Sequence, residues 1–371
     1  MYFIIFEKKP VKIMNYKIET TKVNKSRLPE IDFDNIPFGQ LFSDHMFSAD
    51  YIDGEWTNLQ IIPFAPLELS PVNLALHYGQ SIFEGMKASK MTDGTPALLR
   101  PELHVQRLNA SADRMCMPHV PKDLFLQALH ELIGMESGWI PQKEGSALYI
   151  RPVMFAMDAK LGVAVSERYK FLIITGPVGP YYPKPVKLLA DTQYIRAAHG
   201  GVGEAKTAGN YAASLYPARQ AMEKGYDQVL WLDAKEFKYV QEVGTMNIFF
   251  VIDGKVVTPE TNGTILKGIT RKMILHILKD QGIEVEERLV DIHEIVEAHK
   301  DGRLTEVFGA GTAAVISNVE LIAYDGVDMK MPPIETHKIA HMLKDMINGI
   351  RSGEVADKFG WVVPVKVTVS S

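Results

Sequence analysis

Residues 200–211 read GGVGEAKTAGNY and place one lysine, Lys206, in a glycine-rich loop. Glycine allows the backbone to approach a bound molecule closely, so this loop predicts a ligand site. On its residues alone, three roles are open to Lys206. It could clamp a nucleotide phosphate, act as an imine-forming nucleophile, or be a surface charge on a turn.

A nucleotide clamp of the P-loop type requires the pattern G-x-x-x-x-G-K-[ST], which this loop misses by one position. Ala205 stands where the second glycine belongs, and Glu204 would bring a carboxylate towards phosphate oxygens. The residues IRAAHG also separate the loop from the predicted strand VKLLAD, whereas a P-loop follows its strand directly. We further expect Gly209 and Asn210 to interrupt the helix just after Thr207. The P-loop interpretation is therefore weak.

A metal site and a serine nucleophile are also disfavoured. His337 and His341 are four residues apart and could share one face of a helix. Lys338 stands where the hydrolytic zinc motif requires glutamate, so we predict no metal site. The nucleophile elbow G-x-S-x-G does not occur in the sequence.

The composition is that of an ordinary soluble protein. The chain has 371 residues, of which 46% are hydrophobic and 23% charged, and this length favours two domains or one large one. Its formal net charge of −5 gives no general attraction to nucleic acid or an anionic membrane. Cys116 is the single cysteine, which excludes an intrachain disulfide and suits the reducing cytoplasm. Residues 1–13 contain an apolar run too short for a signal peptide or a membrane span.

The pattern along the chain predicts a mixed α/β (α+β) protein. DLFLQALHELIGM has apolar residues at helical spacing, and ALYIRPVMFAM and KFLIITGPVG are typical of strands. GPVGPYYPKP is the best candidate for a linker. After it come the predicted strands VKLLAD and QVLWLD, a hairpin around Asp253 and Gly254, and a helix with Thr270 as N-cap and Gly282 as its stop. The predicted division is an extension at 1–13, a small α/β domain at 14–177, a linker at 178–188 and a large domain at 189–371.

Seven blocks in this order resemble the branched-chain amino acid aminotransferases, which are fold-type IV pyridoxal-phosphate enzymes. The blocks are HYGQSIFEGMKA, RPELHVQRLNASADRMCMP, LYIRPVMFAMD, GGVGEAKTAGNYAAS, QEVGTMNIFF, NGTILKGITR and EVFGAGTAAVISNV. The resemblance extends from about residue 38 to the C-terminus. It implies a two-domain fold with the cofactor, pyridoxal 5′-phosphate, between the domains and bound mainly by the large one.

The resemblance implies that Lys206 is catalytic and forms the Schiff base with the cofactor. It lies in the family's K-x-G-G-N-Y block, in which Ala208 here replaces the first glycine. Tyr211 would reach the ring oxygen of the cofactor, and Glu242 would pair with its pyridinium nitrogen. Free amides where a helix begins suit a phosphate group, as does an arginine. The other implied cofactor contacts are Arg107, Thr245, Leu266, Gly268, Ile269, Thr270 and Thr312.

The same resemblance implies an apolar substrate pocket. Arg151 would help to admit the γ-carboxylate of glutamate, and it shares a strand face with Tyr149. The main-chain amides of Thr312 and Ala313, together with Tyr78, would bind the α-carboxylate. The other implied substrate contacts are Phe38, Phe83, Tyr149, Tyr181 and Thr245.

The resemblance implies reversible amino transfer between L-leucine, L-isoleucine or L-valine and 2-oxoglutarate in a homodimer. No nucleic acid or membrane partner is expected. A D-amino acid transaminase, an aminodeoxychorismate lyase and a P-loop module remain as alternatives. Some animal members of the family carry a C-x-x-C pair where this chain has Ala314 and Ser317. Redox regulation through that pair is therefore not expected.

Overall fold

Two β-sheets with flanking helices organise the chain, which confirms the predicted mixed α/β class. The computed structural model describes residues 15–37, 39–143, 145–179 and 184–367, and each sheet has nine strands within these ranges. The helices are α1 (Leu74–Tyr78), α2 (Pro101–Arg114), α3 (Lys122–Met135), α4 (Ala208–Glu223), α5 (Ile269–Asp280), α6 (Ile292–Lys300) and α7 (Lys338–Ser352).

The first sheet is built mainly from the N-terminal half of the chain. Its strands there are β1 (Glu19–Thr20), β2 (His45–Ile52), β3 (Glu55–Pro63), β4 (Ser81–Phe83), β5 (Met86–Lys90), β6 (Pro96–Leu99), β7 (Ala147–Ala156) and β8 (Tyr169–Val178). The predicted helix DLFLQALHELIGM is confirmed as α3. It buries Leu129, Leu132 and Ile133 in a core shared with Phe47 and Phe171 of this sheet.

The second sheet is formed by the C-terminal half. Its strands are β9 (Val186–Ala190), β10 (Gln228–Leu232), β11 (Val240–Val243), β12 (Met246–Ile252), β13 (Lys255–Pro259), β14 (Val285–Arg288), β15 (Leu304–Gly311), β16 (Val315–Tyr324) and β17 (Val327–Lys330). Six of the described strands are hydrogen-bonded in a closed ring of order β9, β16, β15, β12, β11 and β10. The predicted hairpin around Asp253 and Gly254 is confirmed as β12–β13.

Strand β12 is buried on both faces, which explains the continuous apolar run IFFVI at residues 248–252. Ile248 and Phe250 belong to the core inside the ring, whereas Phe249 and Val251 pack with α5 and α7 on the outside. Successive side chains of a strand point to opposite faces. A strand between two cores therefore has no polar face.

The last strand, β18 (Val362–Pro364), returns to the first sheet. It pairs antiparallel with β6, with Val363 opposite Leu98. The end of the chain thereby joins the sheet that the beginning of the chain forms.

Two local expectations are wrong. Gly209 and Asn210 do not interrupt the helix, because α4 begins at Ala208 and includes both. The Asn210 side chain donates to the carbonyls of Val202 and Ala205, which fastens the first turn of α4 to the glycine-rich loop. These bonds outweigh the low helix propensity of glycine.

The second wrong expectation is the N-cap of α5, which is Gly268 and not Thr270. Gly268 has an extended backbone with φ −62° and ψ 133°, and Thr270 lies inside the first helical turn. The expected stop at Gly282 is confirmed, since α5 ends at Asp280 and Gly282 has a φ of +69°. Such a φ just after a helix favours glycine.

Along the sequence, the predicted linker at 178–188 falls between a strand of the first sheet and a strand of the second, and its two ends belong to those strands. β8 continues to Val178 and β9 begins at Val186, while residues 180–183 lie outside the described residues. The domain boundaries themselves stay a prediction. No helix within the described ranges is long and apolar enough to cross a membrane.

Candidate active site

A cavity of about 460 Å³ lies between the two sheets and collects most of the predicted site residues. This volume is within the range of small-molecule sites. The predicted residues that line it are Phe83, Arg107, Tyr149, Arg151, Lys206, Tyr211, Glu242, Thr245, Leu266, Gly268, Ile269, Thr270, Thr312 and Ala313. Phe38 and Tyr181 lie outside the described residues.

Lys206 is held at the junction of the two halves by backbone contacts. Its amide donates to Ser111 Oγ at 2.9 Å, and its carbonyl accepts from the amide of Phe83 at 3.0 Å. The side chain is half-buried, with Nζ 4.7 Å from the centre of the Phe83 ring. These contacts present the amine to the cavity.

The surroundings of Lys206 favour its neutral form. Burial, followed by the positive charge of Arg107, lowers the pKa of Lys206 to about 8. Nζ donates to Tyr211 Oη at 2.6 Å. Burial and the negative charge of Glu242 raise the pKa of Tyr211 to about 12, so this phenol keeps its proton. An amine of this kind is a nucleophile close to neutral pH.

Glu242 is a buried carboxylate held by three groups. Arg196 Nε lies 2.6 Å from Oε2, while Asn247 Nδ2 and the Leu266 amide donate to Oε1 at 3.0 and 3.3 Å. Burial raises the pKa of Glu242, and the charge of Arg196 opposes that effect. Arg196 thus favours the ionised form of the carboxylate, and that negative charge suits a positively charged nitrogen of a ligand.

The other end of the cavity suits an anion. Helix α5 begins there, and no side chain caps the amides of its first turn, which include those of Ile269 and Thr270. Free amides at the positive end of a helix dipole bind phosphate groups well. Gly268 is required by close packing, because a Cβ there would lie 1.9 Å from Asn247 Oδ1.

Arg107 lines this anion-binding end of the cavity, and ion-pair hydrogen bonds to Glu84 hold its guanidinium in place. Its Nε and Nη2 donate to the two Glu84 oxygens at 2.7 and 2.8 Å, and Nη1 donates to the Lys267 carbonyl at 3.3 Å. His104 Nδ1 lies 2.7 Å from the same carboxylate, which is fully buried. Burial alone would raise the pKa of Glu84, but Arg107 and His104 hold it well below its ordinary value.

Aromatic side chains form the wall opposite the ring of strands. The Arg151 guanidinium lies 4.6 Å from the centre of the Phe83 ring and donates to Tyr149 Oη at 3.0 Å. This confirms that Tyr149 and Arg151 share one face of β7. A Cβ at Gly85 would lie 2.3 Å from Tyr149 Oη, so glycine makes room for this ring.

Tyr78 does not line the cavity of its own chain. It lies on α1 with 41% of its surface exposed, and its Oη accepts from the Gly162 amide at 2.8 Å. Leu76, Leu161 and Val163 are exposed apolar side chains of the same region, α1 and the segment near Gly162. The prediction that Tyr78 contacts the substrate is thus not met within one described chain.

The sequence blocks contain further site residues that motif reasoning did not single out. Glu84 and Gly85 stand in EGMKA, and Asn247 closes EVGTMN. Arg196 lies ahead of the glycine-rich loop, outside every block. Its pairing with Glu242 joins distant segments, so only a search for a cation complementary to a buried carboxylate could have suggested it.

Comparisons with known proteins agree with this geometry. Residues 81–322 match the family model described as amino-transferase class IV. The branched-chain-amino-acid aminotransferase 2 of Bacillus subtilis (strain 168) is 47% identical over 359 residues, which cover 96% of this chain and 98% of that protein.

The chain belongs to the class IV aminotransferases, within the branched-chain aminotransferase family.

Solved structures of such enzymes share its fold. The branched-chain amino acid aminotransferase from Escherichia coli has a TM-score of 0.67 and 26% identity, covering 87% of this chain and 99% of that one. A second such enzyme, solved in complex with N-(5′-phosphopyridoxyl)-L-glutamate, has a TM-score of 0.67 and 27% identity, covering 86% of this chain and 98% of that one. The enzyme from the thermophilic archaeon Thermoproteus uzoniensis, solved with norvaline, has a TM-score of 0.69 and 26% identity, covering 86% and 99%.

This class IV aminotransferase uses pyridoxal phosphate as its cofactor. The cavity fits that group: an uncapped helix N-terminus and Arg107 lie at one end, and the buried Glu242 lies beside the amine of Lys206. The three features match a phosphate, a protonated ring nitrogen and an aldehyde, respectively.

Proposed function

We propose that this aminotransferase catalyses reversible amino transfer between L-leucine, L-isoleucine or L-valine and 2-oxoglutarate. The observation that carries the proposal is the position of Lys206. Its near-neutral amine faces a cavity bounded by a buried carboxylate, an anion-binding helix terminus and an aromatic wall. The names of the relatives support the choice of amino acid.

The cofactor is proposed to be held by residues at both ends of the cavity. Arg107, the amides of Ile269 and Thr270 and the Thr312 hydroxyl bind its phosphate. Glu242 lies against its ring nitrogen and Tyr211 against its ring oxygen, while Thr245, Leu266 and Gly268 contact the remainder. When bound, pyridoxal phosphate withdraws electrons from the α-carbon of a joined amino acid and so acidifies the α-proton.

Lys206 has two proposed roles. It carries the cofactor covalently through Nζ between turnovers, and it moves the proton at the substrate α-carbon while it is free. Both roles need an amine that is neutral near pH 8, which burial and Arg107 provide. Tyr211, 2.6 Å from Nζ, orients the amine.

The substrate is proposed to lie between the aromatic wall and the 312–314 turn. Phe83 and Tyr149 exclude water from an aliphatic side chain, together with Phe38 and Tyr181, for which the described residues give no geometry. Arg151 pairs with the γ-carboxylate when glutamate binds. The amides of Thr312 and Ala313 bind the α-carboxylate.

The working enzyme is proposed to be a homodimer in the cytoplasm. Tyr78 is absent from the cavity of its own chain and lies in an exposed apolar region with Leu76, Leu161 and Val163. A second copy that covers this region removes its apolar surface from water and brings Tyr78 to the partner's cavity. The single cysteine suits a reducing compartment.

Absorption spectroscopy tests the proposed function. Wild-type protein loaded with pyridoxal phosphate should show the visible band of the lysine-bound cofactor. L-leucine should remove the band and 2-oxoglutarate should restore it, whereas D-alanine should do neither. Lys206→Ala should lack the band and lose at least about a thousandfold in turnover. A response to D-alanine but not to L-leucine would reject the substrate class, and full turnover by Lys206→Ala would reject the mechanism.

A further inference from the structure

Lys87 is a buried lysine that the proposed mechanism does not use. It lies on β5, retains 8% of its surface exposed, and donates from Nζ to the carbonyl of Ala313 at 2.5 Å. Ala313 belongs to the 312–314 turn, which lines the cavity. The bond therefore ties the first sheet to the part of the second sheet that is proposed to bind the substrate carboxylate.

No carboxylate compensates the charge of Lys87 among the residues that the structure describes. Its charged neighbour is Arg351, a second cation, which also lines the small space beside it. Burial and Arg351 lower the pKa of Lys87 to about 7. A buried, unpaired lysine is costly, so methionine would fill this place more stably if packing alone mattered.

The turn that Lys87 contacts has a strained backbone. It connects β15 to β16, with Gly311 opposite Val315. Val315 has a φ of +63°, in the left-handed region that a β-branched residue rarely adopts. Such a conformation persists only where the neighbouring structure holds it.

The direction of the Ala313 carbonyl determines where the next amide points. In a trans peptide the C=O and N–H groups lie on opposite sides of the chain, and no peptide among the described residues is cis. Because the Ala313 carbonyl points to Lys87, the N–H of Ala314 points away from Lys87. Ala314 also lines the active-site cavity.

We propose that Lys87 is a positioning residue for the α-carboxylate of the substrate. By holding the Ala313 carbonyl, it fixes the peptide between Ala313 and Ala314. This anchors the end of the turn next to the strained Val315, and with it the turn whose Thr312 and Ala313 amides are proposed to receive the carboxylate. The inference rests on the proposed function, because it needs this turn to receive the carboxylate. The bond survives titration, since a neutral amine still donates a hydrogen bond.

Two ligands separate this role from a general structural one. 4-Methylvalerate has the carboxylate of the leucine skeleton but no amine, and 3-methylbutan-1-amine has the amine but no carboxylate. Both are titrated against the holoenzyme by visible absorption. Lys87→Met should bind 4-methylvalerate about tenfold more weakly and bind the amine unchanged. Its KM for L-leucine should rise by a similar factor with little change in kcat, because the carboxylate is bound before and during reaction.

Lys90→Met is the matched control, as Lys90 ends the same strand and lies outside the active-site cavity. It should resemble wild type in both titrations. Lys87→Arg keeps a donor and should bind 4-methylvalerate more tightly than Lys87→Met does. Melting temperatures verify that each variant is folded.

The outcomes are distinguishable. Unchanged 4-methylvalerate binding in Lys87→Met, or an equal loss of both ligands, would overturn the role of Lys87 while the proposed function stands. If wild type itself binds no 4-methylvalerate and does not turn over L-leucine, the proposed function fails and the role of Lys87 fails with it.

Discussion

Lys206 is the residue whose ionisation controls how the protein acquires its cofactor. Only the neutral amine attacks an aldehyde, and burial together with Arg107 shifts the pKa from its ordinary value to about 8. Below that pH, the neutral fraction falls by about tenfold per unit; above it, the fraction approaches one.

We therefore expect the cofactor-free protein to capture pyridoxal phosphate at a rate that rises with pH and levels off above about 8. Stopped-flow absorption at the visible band measures this rate from pH 6 to 9. Nα-Acetyl-lysine, whose single amine has a pKa near 10.4, is the control and should still gain about tenfold between pH 8 and 9. The same gain in the protein over that interval would show that burial does not lower the pKa of Lys206.

The sequence predicted which side chains line the cavity better than it predicted the residues with which they form hydrogen bonds and ion pairs. Lys206, Tyr211 and Glu242 stand in motifs and line one cavity, as expected. Arg196 could not be assigned, because its contact with Glu242 depends on the approach of separate segments. Glu84 stood in a recognised block, but only its burial between Arg107 and His104 shows that it fixes an arginine.

The N-terminus of α5 is the element on which phosphate binding depends. Its N-cap, Gly268, packs so closely against Asn247 that a Cβ would not fit, and Asn247 in turn donates to Glu242 and to the Leu266 carbonyl. One glycine therefore adjoins both ends of the cofactor site.

Gly268→Ala should weaken binding of pyridoxal phosphate by about tenfold or more, because its Cβ would lie 1.9 Å from Asn247 Oδ1 and one of them must move. Equilibrium titration of the cofactor-free protein measures the loss. Gly179→Ala is the control, since its Cβ would meet only an ordinary contact, at 3.7 Å from the Ile36 carbonyl. Wild-type affinity in Gly268→Ala would show that Asn247 can move without consequence.

The predicted starts of α4 and α5 were wrong because tertiary contacts override the local sequence preference there. The two bonds of Asn210 start α4 earlier than its glycine suggested, and the N-cap of α5 is a glycine whose neighbour leaves room for nothing larger. Elements with a long and regular pattern, such as α3 and β12, were predictable because burial alone specifies them.

At the scale of the whole molecule, one chain holds a site that lacks one expected residue. If Tyr78 serves the cavity of a partner subunit, each active site needs Lys206 from one chain and Tyr78 from the other. A Lys206 variant and a Tyr78 variant are then each inactive alone, but a mixed dimer of the two has one active site with both residues.

Co-expressed Lys206→Ala and Tyr78→Ala chains should regain up to about a quarter of wild-type activity, since half of the dimers are mixed and each has one complete site. Turnover of L-leucine measures the recovery, and each variant expressed alone provides the baseline. A mixture no more active than the sum of its parts would place Tyr78 outside the active site of the partner.

The mixed α/β class could be predicted from the sequence, but the closing of six strands into a ring could not. Alternating helical and strand patterns predicted a mixed α/β protein, and the ordered blocks indicated its family. The closed ring of six strands depends on β9 pairing with β16 and on β12 pairing with β15. These strands are far apart in the sequence, so no local pattern predicts their pairing. The pairing of β18 with β6 could not be predicted either, because the three residues of β18 are too few to show the periodicity of a strand.

The pairing of β18 with β6 bears on how the protein is made. Pro96–Leu99 leave the ribosome long before their partners Val362–Pro364. Until β18 has emerged, β6 presents an open strand edge, which is a template for pairing with other chains. Chaperone demand should therefore persist until β18 is made, and disruption of Val362–Pro364 should harm solubility more than their small number suggests.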